Sequence, residues 1–314
     1  MKTADFERYL MDYSRISSGN KIKLERLRTV LRQMQKEGID CILLKGVDLI
    51  PRLYGALGVR PLGDADLLVR ESDLPALDHL LRQLGYRPQI DGNPSYVDPD
   101  GALALDIITQ VWYLDDQDAI WQRAVQRDFE GIPIKGLGGS DLLIYLAVYS
   151  VVHRGYLSAS FARDIAFLVE KEQVNWDFVV DEASPCHLKI PLYHGLSFVL
   201  KRYPGVPIPD YALLRLAPST VIERFWHWFL EKLVTDQPIA DLGHLLLFLT
   251  QPGLKKWHWL NERFFPTEAF LSYRYGDRVK THPFMTRLRR PFSLLLQAVR
   301  LFTRIVRLQI TGRV

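Results

Sequence analysis

The sequence predicts an α+β protein, with a small mixed sheet and its helices first and a mainly helical part after it. Three observations carry this expectation. Short apolar runs alternate with helix-like segments from Leu24 to Ile108. From Ser140 onward the pattern changes to longer, helix-like apolar stretches. Between the two patterns lies a glycine-rich segment, GLGGS at residues 136–140, which marks a boundary and divides the chain into domains of 1–137 and 138–314. Apolar residues make up 48% of the 314, enough to bury a sizeable core in each part.

The elements follow in order. Leu24, Leu27, Leu31 and Met34 form one apolar stripe, predicting a helix over residues 21–37 that Gly38 ends. Ile39 to Leu44 reads as a short buried strand. Val47 to Ala56 reads as helical, and Pro51 is tolerable there only in or near a first turn. Residues 58–63 form a loop, and Asp64 to Val69 a second strand. Ser72 is the expected N-cap of a helix carrying Leu74, Leu77, Leu81 and Leu84, ended by Gly85. A turn-rich stretch around Asp91 to Pro94 precedes a third strand, Ala102 to Ile108. Strand, helix, strand, helix, strand implies a mixed sheet backed by helices. In the second part, Ser140 caps an apolar helix reaching His153, and another helix spans Ser160 to Lys171.

Composition excludes several classes. A net charge of +4 does not by itself demand a nucleic-acid partner. Cys41 and Cys186 lie far apart without metal spacing, so both are expected as reduced thiols. The first residues, MKTADFERYLMDYSR, carry acids early and lack an apolar signal-like core. No apolar run approaches the roughly 20 residues that span a bilayer. A cytoplasmic protein is the expectation.

The chemistry concentrates in residues 43–69, LLKGVDLIPRLYGALGVRPLGDADLLV. Asp64 and Asp66 are two apart on a predicted strand, so their side chains share a face. Adjacent carboxylates repel unless a cation joins them. Hard divalent cations such as Mg²⁺ or Mn²⁺ take oxygen ligands of this kind. Asp106 is a third acid, set in the otherwise apolar ALALDII strand, where it needs a partner. If the two strands are neighbours, all three acids converge on one metal site. Gly46 opens a helix directly after a strand, a geometry that offers free N–H groups to an anion, and Lys45 adds a charge beside it. Phosphates beside metal-binding acids are what phosphoryl and nucleotidyl transfer need, because catalysis there is mostly positioning and neutralisation.

This segment resembles the uncharacterised nucleotidyltransferase family of the DNA polymerase β superfamily. The superfamily places a Gly at a helix start after a strand, Asp-x-Asp on the next strand and a third acid on a later one; Gly46, Asp64, Asp66 and Asp106 match. The family's LLKG and R-x-x-x-D-x-D-LLV wording is matched by Leu43 to Gly46 and by Arg60 to Val69. His153 and the run Arg163-Asp164-Ile165 are similar to the family's His and Asp positions, and residues 264–276 to a late family segment. In two respects the chain departs: Val47 stands where Ser or another Gly is usual, and the gap from Gly46 to Asp64 is longer. The resemblance implies a polymerase-β-like domain that moves a nucleoside monophosphate from an NTP to an acceptor with release of pyrophosphate. It implies metal binding by Asp64, Asp66 and Asp106, with Asp106 helping to deprotonate the acceptor. Lys45 and Gly46 would hold the β- and γ-phosphates, with Arg60, His153 and Asp164 as further nucleotide contacts.

Plainer readings stand beside these. Asp-x-Asp at a strand edge is often a solvated pair, Asp106 a salt-bridged core acid, and Lys45 a side chain reaching for water from a strand end. Arg60 contacts a phosphate or pairs with Asp64 or Asp66 in the absence of metal. His153 suits a helix end as a cation, and Asp164 pairs with it or contacts nucleotide. The function classes in competition are an enzyme, a non-catalytic nucleotide- or polyanion-binding protein of the same fold, and an RNA-modifying toxin of the same chemistry. Neither the base, among ATP, CTP, GTP and UTP, nor the acceptor is legible. From Arg278 to Val314 there are nine Lys or Arg and no Asp or Glu, with Leu295, Val299, Phe302 and Val306 interleaved with Arg300, Arg304 and Arg307. That pattern predicts a basic amphipathic helix, which either packs on the protein's own core or meets RNA, another polyanion or a membrane surface.

Overall fold

The computed structural model describes residues 3–91, 93–184 and 187–250, together with isolated positions beyond 250. The chain forms two units, Met1–Asp141 and Leu142–Val314. Together they make an α+β protein in which all the described strands lie in the first unit.

The first unit opens with a long helix, α1 (Thr3–Lys36), of which the sequence predicts only the second half. The strand β1 (Cys41–Leu44), the short helix α2 (Lys45–Leu49) and a π-helical turn over Ile50–Tyr54 follow without a break. Pro51 falls at the start of that turn, where the α-helical bonding of α2 gives way to the wider π pattern. Next come β2 (Ala65–Val69), α3 (Leu74–Gln83), β3 (Arg87–Asp91), β4 (Asn93–Val97) and β5 (Ala104–Ile108). The helix α4 (Gln117–Arg123) leads into the hairpin β6 (Val125–Phe129) and β7 (Ile132–Gly136).

The seven strands form one mixed sheet in the order β3-β4-β5-β2-β1-β7-β6. β2 runs antiparallel to β1 and parallel to β5, and β1 runs parallel to β7. Side chains alternate across the sheet. On one face, Leu43, Leu67, Val69, Leu105 and Ile107 are buried with Leu24, Leu27, Val30, Leu31 and Met34 of α1 and with Leu77 and Leu81 of α3. Each such side chain contributes about 1.5–3 kcal/mol by leaving water. With that register fixed, Asp66 and Asp106 stand on the opposite face.

Three expectations are corrected. Ser72 does not cap α3: residues Glu71–Asp73 make a 3₁₀ turn, and α3 begins at Leu74 with no side-chain cap bond. Nor does Ser140 cap its helix, which already begins at Gly139 and takes Ser140 into its first turn, whereas the turn expected around Asp91 to Pro94 does lie where β3 gives way to β4. Four strands, β3, β4, β6 and β7, go beyond the three predicted. The two sheet edges, β3 and β6, read RPQID and VQRDF, too polar to show as apolar runs, and an edge strand tolerates Pro88 and charged residues.

The second unit is helical throughout its described part. The helix α5 (Gly139–Val148) crosses from the first unit's end and continues as a π-helical turn, Tyr149–Arg154, closed by Gly155 in the left-handed conformation. After it come α6 (Ala159–Lys171), α7 (Trp176–Ala183), α8 (Lys189–Arg202), α9 (Asp210–Leu216), α10 (Val221–Leu233) and α11 (Leu242–Thr250). Ser158, Asn175 and Thr220 cap α6, α7 and α10 through their side chains, Thr220 in a reciprocal box with Glu223. Where α11 meets the π-helical turn, a Cβ on Gly243 would collide with the His153 carbonyl, so only glycine permits the approach.

Among the described residues no helix is long and apolar enough to cross a membrane. Cys41 is a free thiol whose pKa burial pushes up to about 12, so it is inert at neutral pH. Cys186, residues 266–276 and most of the basic tail lie outside the described residues; within the tail, Val299 and Phe302 are described and exposed.

Candidate active site

The site begins with strand pairing. β2 and β5 are parallel neighbours in a register that sets Asp66 directly beside Asp106. Asp64 stands one residue before β2, two from Asp66, and is exposed. One ligand oxygen from each of Asp64, Asp66 and Asp106 lies within 4.8 Å of the others. Asp66 is the buried member, at 4% exposure, and Asp106 is half-buried.

Three carboxylates so close need a cation, and part of one is supplied by the chain. The Lys45 ammonium donates to Asp66 Oδ1 at 2.5 Å. Even so, burial, aided by the charges of Asp64 and Asp106, raises the Asp66 pKa to about 6 against the pull of Lys45. The oxygen donor set and this residual repulsion fit a hard divalent cation such as Mg²⁺ or Mn²⁺. A site that penalises its own charge gains by binding one.

Lys45 has φ of 51°, the left-handed region that side chains other than glycine's rarely adopt. Its neighbour Gly46 is tightly enclosed. A Cβ there would stand 2.5 Å from Arg60 Nη1 and 3.1 Å from Leu62 Cδ1, so Arg60 lies against the Gly46 backbone. Val47, in the position where Ser or Gly is usual, is buried in the sheet-face core. That side chain serves packing.

The long gap between Gly46 and Asp64 is held by α1. Asn20 donates its amide to the Leu57 and Arg60 carbonyls, both at 2.7 Å, and accepts from the Leu62 N–H at 2.8 Å. Lys23 Nζ donates to the Leu62 and Gly63 carbonyls at 2.5 and 3.0 Å. The ring of Tyr13 fills the place a side chain on Gly58 would need. On the other side, Arg52 donates to Asp48 at 2.8 Å and to the Leu137 carbonyl at 2.9 Å, anchoring the α2 turn beyond the end of β7. Sequence reasoning missed these supports. Asn20 had a signal: it is four residues before Leu24, a polar amide on the apolar stripe of α1.

Asp64, Asp66, Asp106 and Lys45 thus come together in the first unit, and Arg60 meets Gly46 there. His153 and Asp164 belong to the second unit. His153 is exposed in the π-helical turn, stacked on Tyr149 with ring centres 4.8 Å apart. Asp164 is buried in α6.

Comparison with solved structures finds remote likenesses. An antigenic nucleotidyltransferase-like protein from Paracoccidioides brasiliensis is 14% identical, with 62% of this chain and 94% of that one covered and a TM-score of 0.42. The antibiotic-resistance factor ANT(2'')-Ia, in solution, is 13% identical over 59% of this chain and 98% of its own, at a TM-score of 0.41. The same protein crystallised with adenylyl-2''-tobramycin is 12% identical over 53% and 97%, also at 0.41. No curated protein matches the chain in sequence. The family model described as "Uncharacterised nucleotidyltransferase" matches residues 7–204, more than half of the chain and the whole acid-bearing sheet, and the chain therefore belongs to the uncharacterised nucleotidyltransferase family.

Proposed function

We propose that the protein is a divalent-metal-dependent enzyme that transfers a nucleoside monophosphate from an NTP to an acceptor and releases pyrophosphate. In this reading residues 1–137 are the nucleotidyltransferase domain and 138–314 a helical domain. The observation that carries it is the convergence of Asp64, Asp66 and Asp106 within 4.8 Å, with Lys45 on Asp66. Asp64, Asp66 and Asp106 would hold Mg²⁺ or Mn²⁺, which when bound supplies neutralisation of the phosphates and acidifies the acceptor hydroxyl. Asp106 takes the acceptor's proton as the hydroxyl attacks the α-phosphorus. Lys45, the Gly46 backbone and Arg60 hold the β- and γ-phosphates and stabilise the charge that leaves with pyrophosphate.

The test incubates the protein with each α-labelled NTP, Mg²⁺ and cell extract, and asks what becomes labelled. In parallel, thermal melts measure stabilisation by each NTP with and without Mg²⁺. Label transfer and Mg²⁺-dependent stabilisation are expected for the wild type, and neither for Asp64→Ala or Asp66→Ala, which still fold. Undiminished transfer by either variant would remove the acids from the chemistry. Nucleotide stabilisation indifferent to Mg²⁺, without transfer, would favour a binding protein of the same fold.

A further inference from the structure

Lys45 carries two observations that a phosphate-binding role alone leaves unexplained. Its backbone is in the left-handed region, at φ of 51°, a conformation that costs a side-chain-bearing residue and that glycine adopts freely. Gly46 stands next door, so a glycine at 45 would have been the cheaper way to make the turn. The side chain is retained against that strain, and its ammonium is spent on Asp66 at 2.5 Å, inside the acid cluster. An ammonium and a divalent cation compete for the same carboxylate oxygen and repel each other strongly at such range.

The charge count gives the arrangement direction. With Lys45 in place, three carboxylates carry a net charge of −2. A bare divalent cation must displace the ammonium from Asp66 and brings no anion of its own to receive it. A cation arriving with a triphosphate brings that anion along. The inference rests on reading the acids as the metal site and concerns how that site is controlled. We propose that Lys45 is an exchangeable counter-ion, which holds Asp66 while nucleotide is absent and passes to the nucleotide phosphates when metal and nucleotide bind together. Metal alone is thereby held off the acids, and metal and nucleotide bind with positive coupling.

Lys45→Met keeps the length of the side chain and removes its charge; Lys45→Arg keeps the charge; Lys45→Gly accepts the backbone conformation and serves if the methionine variant does not fold. Mn²⁺ binding without nucleotide is measured by electron paramagnetic resonance. Binding of the Mn²⁺ complexes of the four α,β-methylene NTPs is measured by calorimetry. Removing a unit charge beside a divalent cation should tighten Mn²⁺ binding without nucleotide by about tenfold, a direction that structural damage would not produce. The same variant should bind the best Mn²⁺–nucleotide complex about tenfold more weakly, while Lys45→Arg stays near wild type in both assays. Mn²⁺ binding by Lys45→Met that is no tighter than wild type, beside a wild type that does bind Mn²⁺, overturns the role of Lys45 and leaves the metal site standing. A wild type that binds no Mn²⁺ in either state overturns both.

Discussion

Replacing Asp66 by Asn should stabilise the metal-free protein at neutral pH while destroying its response to metal. Asp66 is 4% exposed, and its pKa in the folded chain is raised from 3.8 to about 6, first by burial and then by Asp64 and Asp106, despite Lys45. Each pKa unit corresponds to about 1.4 kcal/mol, so the ionised side chain costs the fold on the order of 3 kcal/mol at pH 7.5. The folded-state value lies above the unfolded one. The associated stability is therefore fully present below about pH 4 and is lost as pH rises through 6. The Asn variant lacks this loss, and its amide oxygen can still accept from Lys45. Urea denaturation in EDTA at pH 4, 5, 6 and 7.5 measures the difference. The variant's advantage should grow across that range to an upper bound of roughly 3 kcal/mol, less whatever the amide fails to replace in hydrogen bonding. Adding Mg²⁺ and NTP should stabilise the wild type only. A variant less stable than wild type at pH 7.5 in EDTA would refute the view that the acids are held together at a cost.

Three further outcomes are expected. Gly46→Ala puts a methyl 2.5 Å from Arg60 Nη1; the flexible guanidinium gives way, so urea stability should change by under about 1 kcal/mol while Mg²⁺–nucleotide affinity in calorimetry falls. Asn20→Ala strips the Leu62 N–H and the Leu57 and Arg60 carbonyls of their partner and should lower urea stability by roughly 2–3 kcal/mol, with faster amide exchange over residues 57–63. Gly243→Ala drives a methyl into the His153 main-chain carbonyl, which cannot rotate away; a loss of about 1–3 kcal/mol, read from the urea midpoint, is expected, and an unchanged midpoint would mean that α11 packs differently.

What was legible in the sequence is what leaves an apolar period. The stripe Leu24, Leu27, Leu31 and Met34, the strand CILL and the strand ADLLV all bury a continuous apolar face, and each is where its period places it. The acids were legible for the opposite reason: a charge inside such a run is costly enough to demand an account, and Asp66 and Asp106 do stand side by side. The edge strands β3 and β6 were not legible, since half their hydrogen-bonding groups face outward and their side chains answer to water. Nor was the clamp from Asn20 and Lys23. It joins residues about 40 positions apart through main-chain carbonyls, which no side-chain pattern of the loop itself encodes.

That clamp bears on how the acid cluster survives. Asp64 and Asp66 sit at the end of a loop that begins at Gly55, and mutual repulsion would favour any motion that parted Asp64 from the strand. Asn20 and Lys23 oppose this by fixing the main chain at residues 57, 60, 62 and 63, directly before Asp64. Both come from α1, whose apolar stripe is locked into the sheet core on the far face. The burial that folds the first unit thus also holds the carboxylates at a separation they would not choose. A ligand set held against its own repulsion spends less of the binding free energy of a cation on reorganisation than one that must first assemble. The strain at Lys45 belongs to the same arrangement: the turn that aims its ammonium at Asp66 is continuous with a strand hydrogen-bonded to β2 along its whole length, so the sheet itself fixes counter-ion and acid in register.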